Sequence, residues 1–83
     1  MKVQVRYFAS LRESLGSGEA VDVAEGETLG ALRDRLIATS PAHAAALARG
    51  RAVRCALDQV LSDESARLRE GAEVAFFPPV TGG

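Results

Sequence analysis

The chain has 83 residues, a formal charge of −1 and a single cysteine, which allows one small domain without an intramolecular disulfide. Acidic and basic residues are interspersed, so the sequence lacks the basic surface that nucleic-acid binding requires. Residues 1–6 alternate in polarity, which argues against a secretory signal or a membrane span at the amino terminus. Together with the lone cysteine, this predicts a cytoplasmic protein.

The first predicted element is a half-buried strand from Lys2 to Phe8. Its odd-numbered residues are apolar and its even-numbered residues are polar, except that Phe8 falls on the polar face. The sequence from Ser10 to Glu13 matches a capping box and predicts a short helix that Gly16 ends. Residues 20–24 predict a second short strand, centred on Val21 and Val23.

The longest predicted element is an amphipathic helix that Thr28 caps. Its apolar residues recur at helical spacing and comprise Leu29, Leu32, Leu36 and Ile37. Ser40-Pro41 marks its end. Residues 41–48 predict a further turn or two of helix, because proline suits a first helical position.

Three more strands are predicted in the second half of the chain: one over residues 53–58, a short one over 59–61 and a last one over 73–77. Phe77 falls on the polar face of the last strand, as Phe8 does on the first. The order of elements predicts an α+β fold, a β-grasp or ubiquitin-like roll in which a mixed sheet of about five strands packs on one main helix. Residues 1–77 would form this domain, and residues 78–83 a flexible C-terminal tail.

The tail consists of Pro78-Pro79-Val80-Thr81-Gly82-Gly83. The prolines lack a backbone N–H, so they end the sheet and favour an extended course, over which six residues span about 20 Å. Gly82 and Gly83 have no Cβ, so the terminal carboxylate can enter a narrow active site. A carboxylate is a poor electrophile until its oxygen becomes a leaving group, which predicts activation by a partner as an acyl-adenylate. A Gly-Gly end by itself is more typical of a frayed terminus than of a reactive one.

The complete string from Val74 to Gly83, Val-Ala-Phe-Phe-Pro-Pro-Val-Thr-Gly-Gly, closely resembles the end of the small, sulfur-carrying subunits of molybdopterin synthase. The resemblance extends over the whole chain, through residues 5–13, 28–37 and 57–61. This chain departs from the family at Asp58, where asparagine is frequent, and around residues 43–51, where the family varies. Neither departure affects the tail.

The resemblance implies a cycle in which an ATP-dependent adenylating enzyme activates the Gly83 carboxylate and a sulfur donor of the cysteine desulfurase or rhodanese type converts it to a thiocarboxylate. The tail then delivers sulfur to cyclic pyranopterin monophosphate in the active site of a large subunit. Two carriers and two large subunits would form the complex. The carrier itself would bind no metal or cofactor and would not be an enzyme on its own, since ATP is used by the partner.

A partner interface is predicted at Phe8 and Phe77, because the first and last strands of a β-grasp sheet are neighbours, and Leu61 would extend it. The resemblance implies that these positions contact the large subunit. It also implies that Arg12 docks the adenylating enzyme, although an exposed helix arginine is equally well a solubilising charge.

Three further sets of residues are candidates for chemistry: the cysteine, the histidine and the acidic residues of the second half. Cys55 alternates with apolar residues, which predicts a buried, inert thiol. His43 has no neighbouring histidine or cysteine and is predicted at the surface near a helix start. The acidic residues of the second half are predicted in solvated turns; they are Asp63, Glu64, Glu70 and Glu73. The alternatives left open are a sulfur carrier of another pathway, such as thiamine thiazole synthesis or tRNA thiolation, a ubiquitin-like modifier of lysines, and a plain interaction domain.

Overall fold

The computed structural model describes residues 1–79, which form one mixed sheet packed against three helices. The strands are β1 (Lys2–Tyr7), β2 (Gly18–Asp22), β3 (Arg54–Leu57), β4 (Val60–Ser62) and β5 (Glu73–Phe77), and the helices are α1 (Ser10–Leu15), α2 (Leu29–Ile37) and α3 (Pro41–Leu47). The strand order is β2-β1-β5-β3-β4, with β1 and β5 parallel and all other pairs antiparallel. The predicted α+β roll is confirmed. Within residues 1–79, no helix is both long enough and apolar enough to cross a bilayer.

The core lies between the sheet and α2 and follows the predicted periodicities. The apolar residues of β1 are fully buried, and so are three leucines of α2; the two sets are Val3, Val5 and Tyr7, and Leu29, Leu32 and Leu36. Val74 and Phe76 of β5 complete the sheet side of the core. Period-2 alternation therefore identified the inner face of the sheet, and helical spacing identified the inner face of α2.

One of the two predicted helix caps, Thr28, is confirmed, and Ser40 forms a cap that the sequence did not predict. Thr28 Oγ1 accepts the Ala31 N–H at 3.1 Å, and Ser40 Oγ accepts the His43 N–H at 3.1 Å. The capping box at Ser10 is wrong, because α1 begins at Ser10 itself and Ala9 occupies the cap position without a side-chain bond. The Phe8 N–H still bonds to the Phe76 carbonyl at 3.1 Å, so the chain must turn sharply at Ala9, whose φ is +54°. The serine therefore comes one residue too late to cap.

Strand β2 lies two residues earlier than predicted, beginning at Gly18. Gly18 pairs with Arg6, and a Cβ at Gly18 would clash with the Val5 carbonyl oxygen. Glycine thus permits the close approach with which the strand begins, although glycine alone disfavours strands. Val23 follows β2 and remains buried, as the predicted pattern required.

The β3–β4 connection is a two-residue hairpin loop formed by Asp58 and Gln59. Both have left-handed φ values, +49° and +69°, as a type I′ turn requires. Asp58 also bonds twice to Glu73, donating its N–H to the carbonyl at 2.8 Å and accepting the Glu73 N–H on Oδ1 at 2.9 Å. The loop displaces the fourth strand by one residue from the predicted 59–61 to 60–62.

Arg33 is a buried cation on α2 that sequence analysis did not single out; only 4% of its surface is exposed. Its guanidinium donates to the carbonyls of Leu47 at 2.8 Å, Ala48 at 2.7 Å and Arg51 at 3.2 Å, and to Glu64 Oε2 at 2.9 Å. These bonds satisfy carbonyls that the end of α3 leaves without helical partners. Arg33 thereby holds α2, the end of α3 and residues 48–51 together.

The prediction that all four acidic residues lie in solvated turns is wrong for Glu73, which lies in β5; Glu64 lies in a turn as predicted, but it is ion-paired. Glu64 accepts bonds from both Arg33 and Arg49, and these, with the Arg49 bond foremost, lower the pKa of its carboxyl against the opposing effect of burial. Glu73 is half-buried in β5 and lies 3.6 Å from the Arg6 guanidinium. The arginines that interact with Glu64 and Glu73 are distant from them in the sequence, so local patterns could not predict these contacts.

Candidate functional site

The predicted interface aromatics lie side by side on the outer face of the sheet, opposite the helices. Tyr7 pairs with Phe76 in the parallel β1–β5 ladder, so the residues that follow them, Phe8 and Phe77, are neighbours. Phe8 is 41% exposed and Phe77 is half-buried. The two phenyl groups therefore occupy one surface.

Leu61 belongs to the same surface because two alanines bridge the gap. Ala56 of β3 pairs with Leu61 on one side and with Ala75 of β5 on the other. Leu61 is 61% exposed. We define the outer patch as Phe8, Ala56, Leu61, Ala75 and Phe77. Sequence analysis missed the two alanines as site residues, although their alternation along the strands already placed them on this face.

Charged groups surround the outer patch. The Arg6 guanidinium carbon lies 6.0 Å from the centre of the Phe8 ring. Arg54 pairs in register with Phe77 and, over residues 1–79, makes no ion pair. An apolar centre with a charged rim is typical of a protein-binding surface.

The tail leaves the domain beside this patch, since β5 ends at Phe77 and Pro78 follows directly. A groove of about 270 Å³ lies at the root of the tail, lined by α1, by Ala46 of α3, by residues 51–53 and by Pro78. The predicted site residues Val80, Thr81, Gly82 and Gly83 lie outside the described residues. Pro78 and Pro79 are half-buried and extend no strand.

Arg12 is exposed on α1, which directly follows β1 at the same end of the sheet. It is not part of the outer patch, and the described ion pairs do not include it. Its predicted role in docking an adenylating enzyme therefore stays a prediction.

Cys55 is buried in β3, as predicted. Its Sγ lies 3.4 Å from the Ser62 carbonyl oxygen, to which it donates. Burial raises the pKa of the Cys55 thiol, and the nearby Glu64 carboxylate raises it further. A buried thiol with a raised pKa is a weak nucleophile, which disfavours Cys55 as the sulfur-carrying group.

The prediction that His43 is a surface residue is wrong. Its side chain is 14% exposed, and its ring meets the Tyr7 ring edge to face at 6.3 Å. His43 Nδ1 lies 2.7 Å from Ser40 Oγ, and Nε2 lies 2.7 Å from Glu19 Oε2, which also accepts the Tyr7 hydroxyl at 2.8 Å. Glu19 is 24 residues from His43, so no local pattern could indicate the contact.

Ser40, His43 and Glu19 are the residue types of a hydrolytic triad, but their arrangement is that of a structural cluster. Ser40 Oγ is the cap of α3, and residues other than these three line the groove at the tail root and the groove beside Cys55. With Tyr7, the cluster joins β1, β2 and α3. Burial foremost, and then the bond to Glu19, raises the pKa of Tyr7, so its hydroxyl stays a donor.

The Glu19 carboxyl makes the stability of this cluster depend on pH. Burial by itself would raise the pKa of Glu19, but bonds from His43 and Tyr7 and the His43 charge lower it. A group whose pKa is lower in the folded state stabilises the fold above its unfolded pKa of about 4.3 and loses that effect as pH falls. We expect Glu19→Gln to cost about 1 kcal/mol near pH 7, allowing for solvent screening.

That difference should shrink as urea titrations move from about pH 7 to about pH 3. Glu25→Gln is the matched control, because Glu25 is exposed and makes no side-chain bond within residues 1–79. A stability difference between wild type and Glu19→Gln that is the same at every pH would contradict the expectation.

Comparison with known proteins supplies the family. The sequence model of the ThiS family matches residues 5–83. The chain belongs to the ThiS family. The molybdopterin synthase sulfur carrier subunit of Escherichia coli (strain K12) is 41% identical to this ThiS-family chain over 81 residues, covering 98% of this chain and 99% of the relative. The resemblance noted in the sequence is thereby confirmed.

Solved structures share the β-grasp fold of this ThiS-family chain. A protein–protein complex of subunits 1 and 2 of molybdopterin-converting factor from Helicobacter pylori 26695 contains a chain with a TM-score of 0.69 and 26% identity, and the match covers 100% of both chains. Small archaeal modifier protein 1 from H. volcanii has a TM-score of 0.77 and 27% identity, with 95% of this chain and 98% of that chain covered.

Proposed function

We propose that this ThiS-family protein is a sulfur carrier in molybdenum cofactor biosynthesis, the small, non-catalytic subunit of a molybdopterin synthase. The observation that carries the proposal is the 41% identity, over nearly the whole of both chains, with a sulfur carrier subunit of that enzyme. The position of the outer patch supports it, because a protein that grips this patch is adjacent to the root of the tail.

The working group in this proposal is the C-terminal carboxylate of Gly83. An adenylating enzyme would join it to the AMP portion of ATP and release pyrophosphate, which converts a carboxylate oxygen into part of a good leaving group. The terminal sulfur of a donor persulfide then attacks the acyl carbon and AMP departs. A thiol reduces the resulting acyl disulfide, which leaves the thiocarboxylate and a disulfide; free sulfide would give the thiocarboxylate directly. Transfer of that sulfur to cyclic pyranopterin monophosphate, with water supplying the replacement oxygen, regenerates the carboxylate.

The fold contributes position rather than chemistry. Phe77 ends β5 in the outer patch, and the next two residues are prolines that make no further sheet bonds. An extended course over residues 78–83 spans about 20 Å, enough to enter the active site of a protein docked on the patch. Gly82 and Gly83 would then offer an acyl carbon without a side chain in the way.

The partner proposed for the outer patch is a molybdopterin synthase large subunit. The H. pylori structure supports this choice, because it is a complex of subunits 1 and 2 of molybdopterin-converting factor. The same proposal includes an assembly of two carriers with two large subunits. It also includes a sulfur donor and an adenylating enzyme that contacts Arg12. No cofactor of the carrier itself is required.

Reconstitution tests the proposal. The protein is incubated with ATP, an adenylating enzyme and sulfide, and its mass is measured before a large subunit and cyclic pyranopterin monophosphate are added. We expect a gain of about 16 Da, the difference between sulfur and oxygen, followed by precursor conversion. Deleting Gly82 and Gly83 should abolish both, whereas Cys55→Ala, which removes the only thiol, should retain both.

A second function is favoured by one observation, the structural match to small archaeal modifier protein 1. A modifier uses the same activated carboxylate to acylate lysines of other proteins. Mass spectrometry of the protein isolated from cells separates the two functions. A thiocarboxylate supports the carrier, and a ladder of conjugates that requires Gly83 supports the modifier.

A further inference from the structure

The end of the sheet from which the tail leaves carries two exposed arginines that have no carboxylate partner among residues 1–79. Arg54 pairs in register with Phe77, and Arg51 lines the groove that Pro78 borders. Neither guanidinium forms an ion pair with any described residue, and Arg51 donates only one bond of its side chain, to the Ala45 carbonyl at 3.1 Å. We define this surface, formed by Arg51 and Arg54 near Pro78, as the tail collar.

Acidic residues gather at the opposite end of the sheet. Asp22 pairs with Lys2 where β1 begins, and Glu70 accepts the Lys2 N–H at 3.3 Å. Asp58 lies in the β3–β4 loop at this same end, hydrogen-bonded to the first residue of β5. These acidic residues share that end with the cations Lys2 and Arg69.

One acidic group near the tail collar is engaged, because Glu64 pairs with Arg33 and Arg49. Asp63 is exposed and lines the groove that Arg54 also lines. Glu13 on α1 is exposed and remains at this end, where Arg12 adds a further cation. Three exposed cations at this end, Arg12, Arg51 and Arg54, outnumber the two exposed carboxylates Glu13 and Asp63, so we expect a positive potential around Pro78.

We propose that the tail collar is an electrostatic docking surface whose two arginines meet carboxylates around the mouth of the large subunit's active-site channel. The inference rests on the proposed function and adds to it the chemistry of the partner surface. A channel that admits the tail must approach Pro78, so its rim comes close to Arg51 and Arg54. The collar adjoins the outer patch through Phe77, which makes the two surfaces continuous.

Exposed charge pairs change association rates more than they change affinity, because the field acts on partners before they touch. The collar should therefore determine how fast the complex forms, and the outer patch how long it lasts. The test therefore measures association and dissociation rates separately.

Association with the purified large subunit is measured by stopped flow for Arg51→Gln, Arg54→Gln and the double variant. At an ionic strength of about 20 mM, each single variant should lower the association rate about threefold and the double variant about tenfold. The differences should vanish near 300 mM, roughly the point at which screening is complete, and dissociation rates should stay within about twofold. The matched control is Arg69→Gln, which removes an exposed cation at the acidic end and should leave the rate unchanged.

Three outcomes would overturn the inference. One is a wild-type association rate that is independent of salt, and another is an equal effect of Arg69→Gln and Arg54→Gln. The third comes from the free protein: by NMR, an anionic paramagnetic cosolute should relax the Ala52 and Arg54 amide protons more than a cationic one does, and the reverse would contradict a positive collar. Absence of any complex would overturn the proposed function as well, whereas a complex that forms without salt dependence overturns only the collar.

Discussion

Replacement of Arg33 by leucine is expected to lower the free energy of unfolding by about 3 to 5 kcal/mol, a large part of the total stability of a domain this small. Leucine leaves the carbonyls of Leu47 and Ala48 without their donor in an almost fully buried place. It also leaves Glu64 with Arg49 as its remaining partner. We therefore expect the ends of α2 and α3 to separate and the urea midpoint to fall sharply.

Two variants show whether the planar geometry of the Arg33 guanidinium or only its positive charge stabilises the fold. Arg33→Lys keeps the charge but cannot make the four bonds of the guanidinium, so it should lose most of the same stability. Arg35→Leu is the matched control on the same helix, because Arg35 is exposed and its guanidinium, within residues 1–79, bonds to Glu27 alone. Urea midpoints should fall far less for Arg35→Leu. If Arg33→Leu and Arg35→Leu were equally stable, the structural role of Arg33 would be refuted.

Replacement of Phe77 by alanine is expected to weaken binding to a large subunit about 30- to 100-fold, or about 2 to 3 kcal/mol. Phe77 lies at the junction of the outer patch, the tail collar and the root of the tail, where an aromatic side chain can be desolvated completely by a partner. Because Phe77 is only half-buried in the free protein, the loss of unfolding free energy should be about 1 kcal/mol. Calorimetric titration and thermal unfolding measure the two effects separately.

Val60→Ala is the matched control for this experiment. Val60 is 65% exposed, but it pairs with Leu57 and therefore points away from the outer patch. The variant should bind with nearly the wild-type affinity. A Phe77→Ala protein that bound as tightly as Val60→Ala would remove the outer patch from the proposed interface, while leaving the chemistry of the tail untouched.

The sequence by itself determined those features whose cause is local. Alternation along β1 and β5 specified which residues face the core, since side chains of a strand point to opposite sides in turn. Leucine spacing and Thr28 specified α2 and its start. The string from Val74 to Gly83 indicated the family, because its apolar strand end, double proline and Gly-Gly end together resemble the end of the sulfur-carrying subunits.

Predictions from local sequence were wrong at two places where one element contacts another, the start of α1 and the start of β2. The capping box at Ser10 is a valid local signal, but the Phe8 bond to β5 makes the chain turn at Ala9 and advances the helix start. In the same way, Gly18 begins a strand because Val5 lies too close for any side chain. In both cases a neighbouring strand overrode the propensity of the residue itself.

Only the tertiary structure decided the polar contacts and the shape of the surface. Arg33 bonds to Leu47 and to Glu64, 14 and 31 residues away, and His43 bonds to Glu19 across 24 residues. The register of β3, β4 and β5 joins Leu61 to Phe77 through two alanines and places Arg54 beside the root of the tail. Periodicity assigns a residue to a face, but it does not state which residue of another element lies opposite. Which residue lies opposite is determined only when the strands pair and the sheet packs against α2.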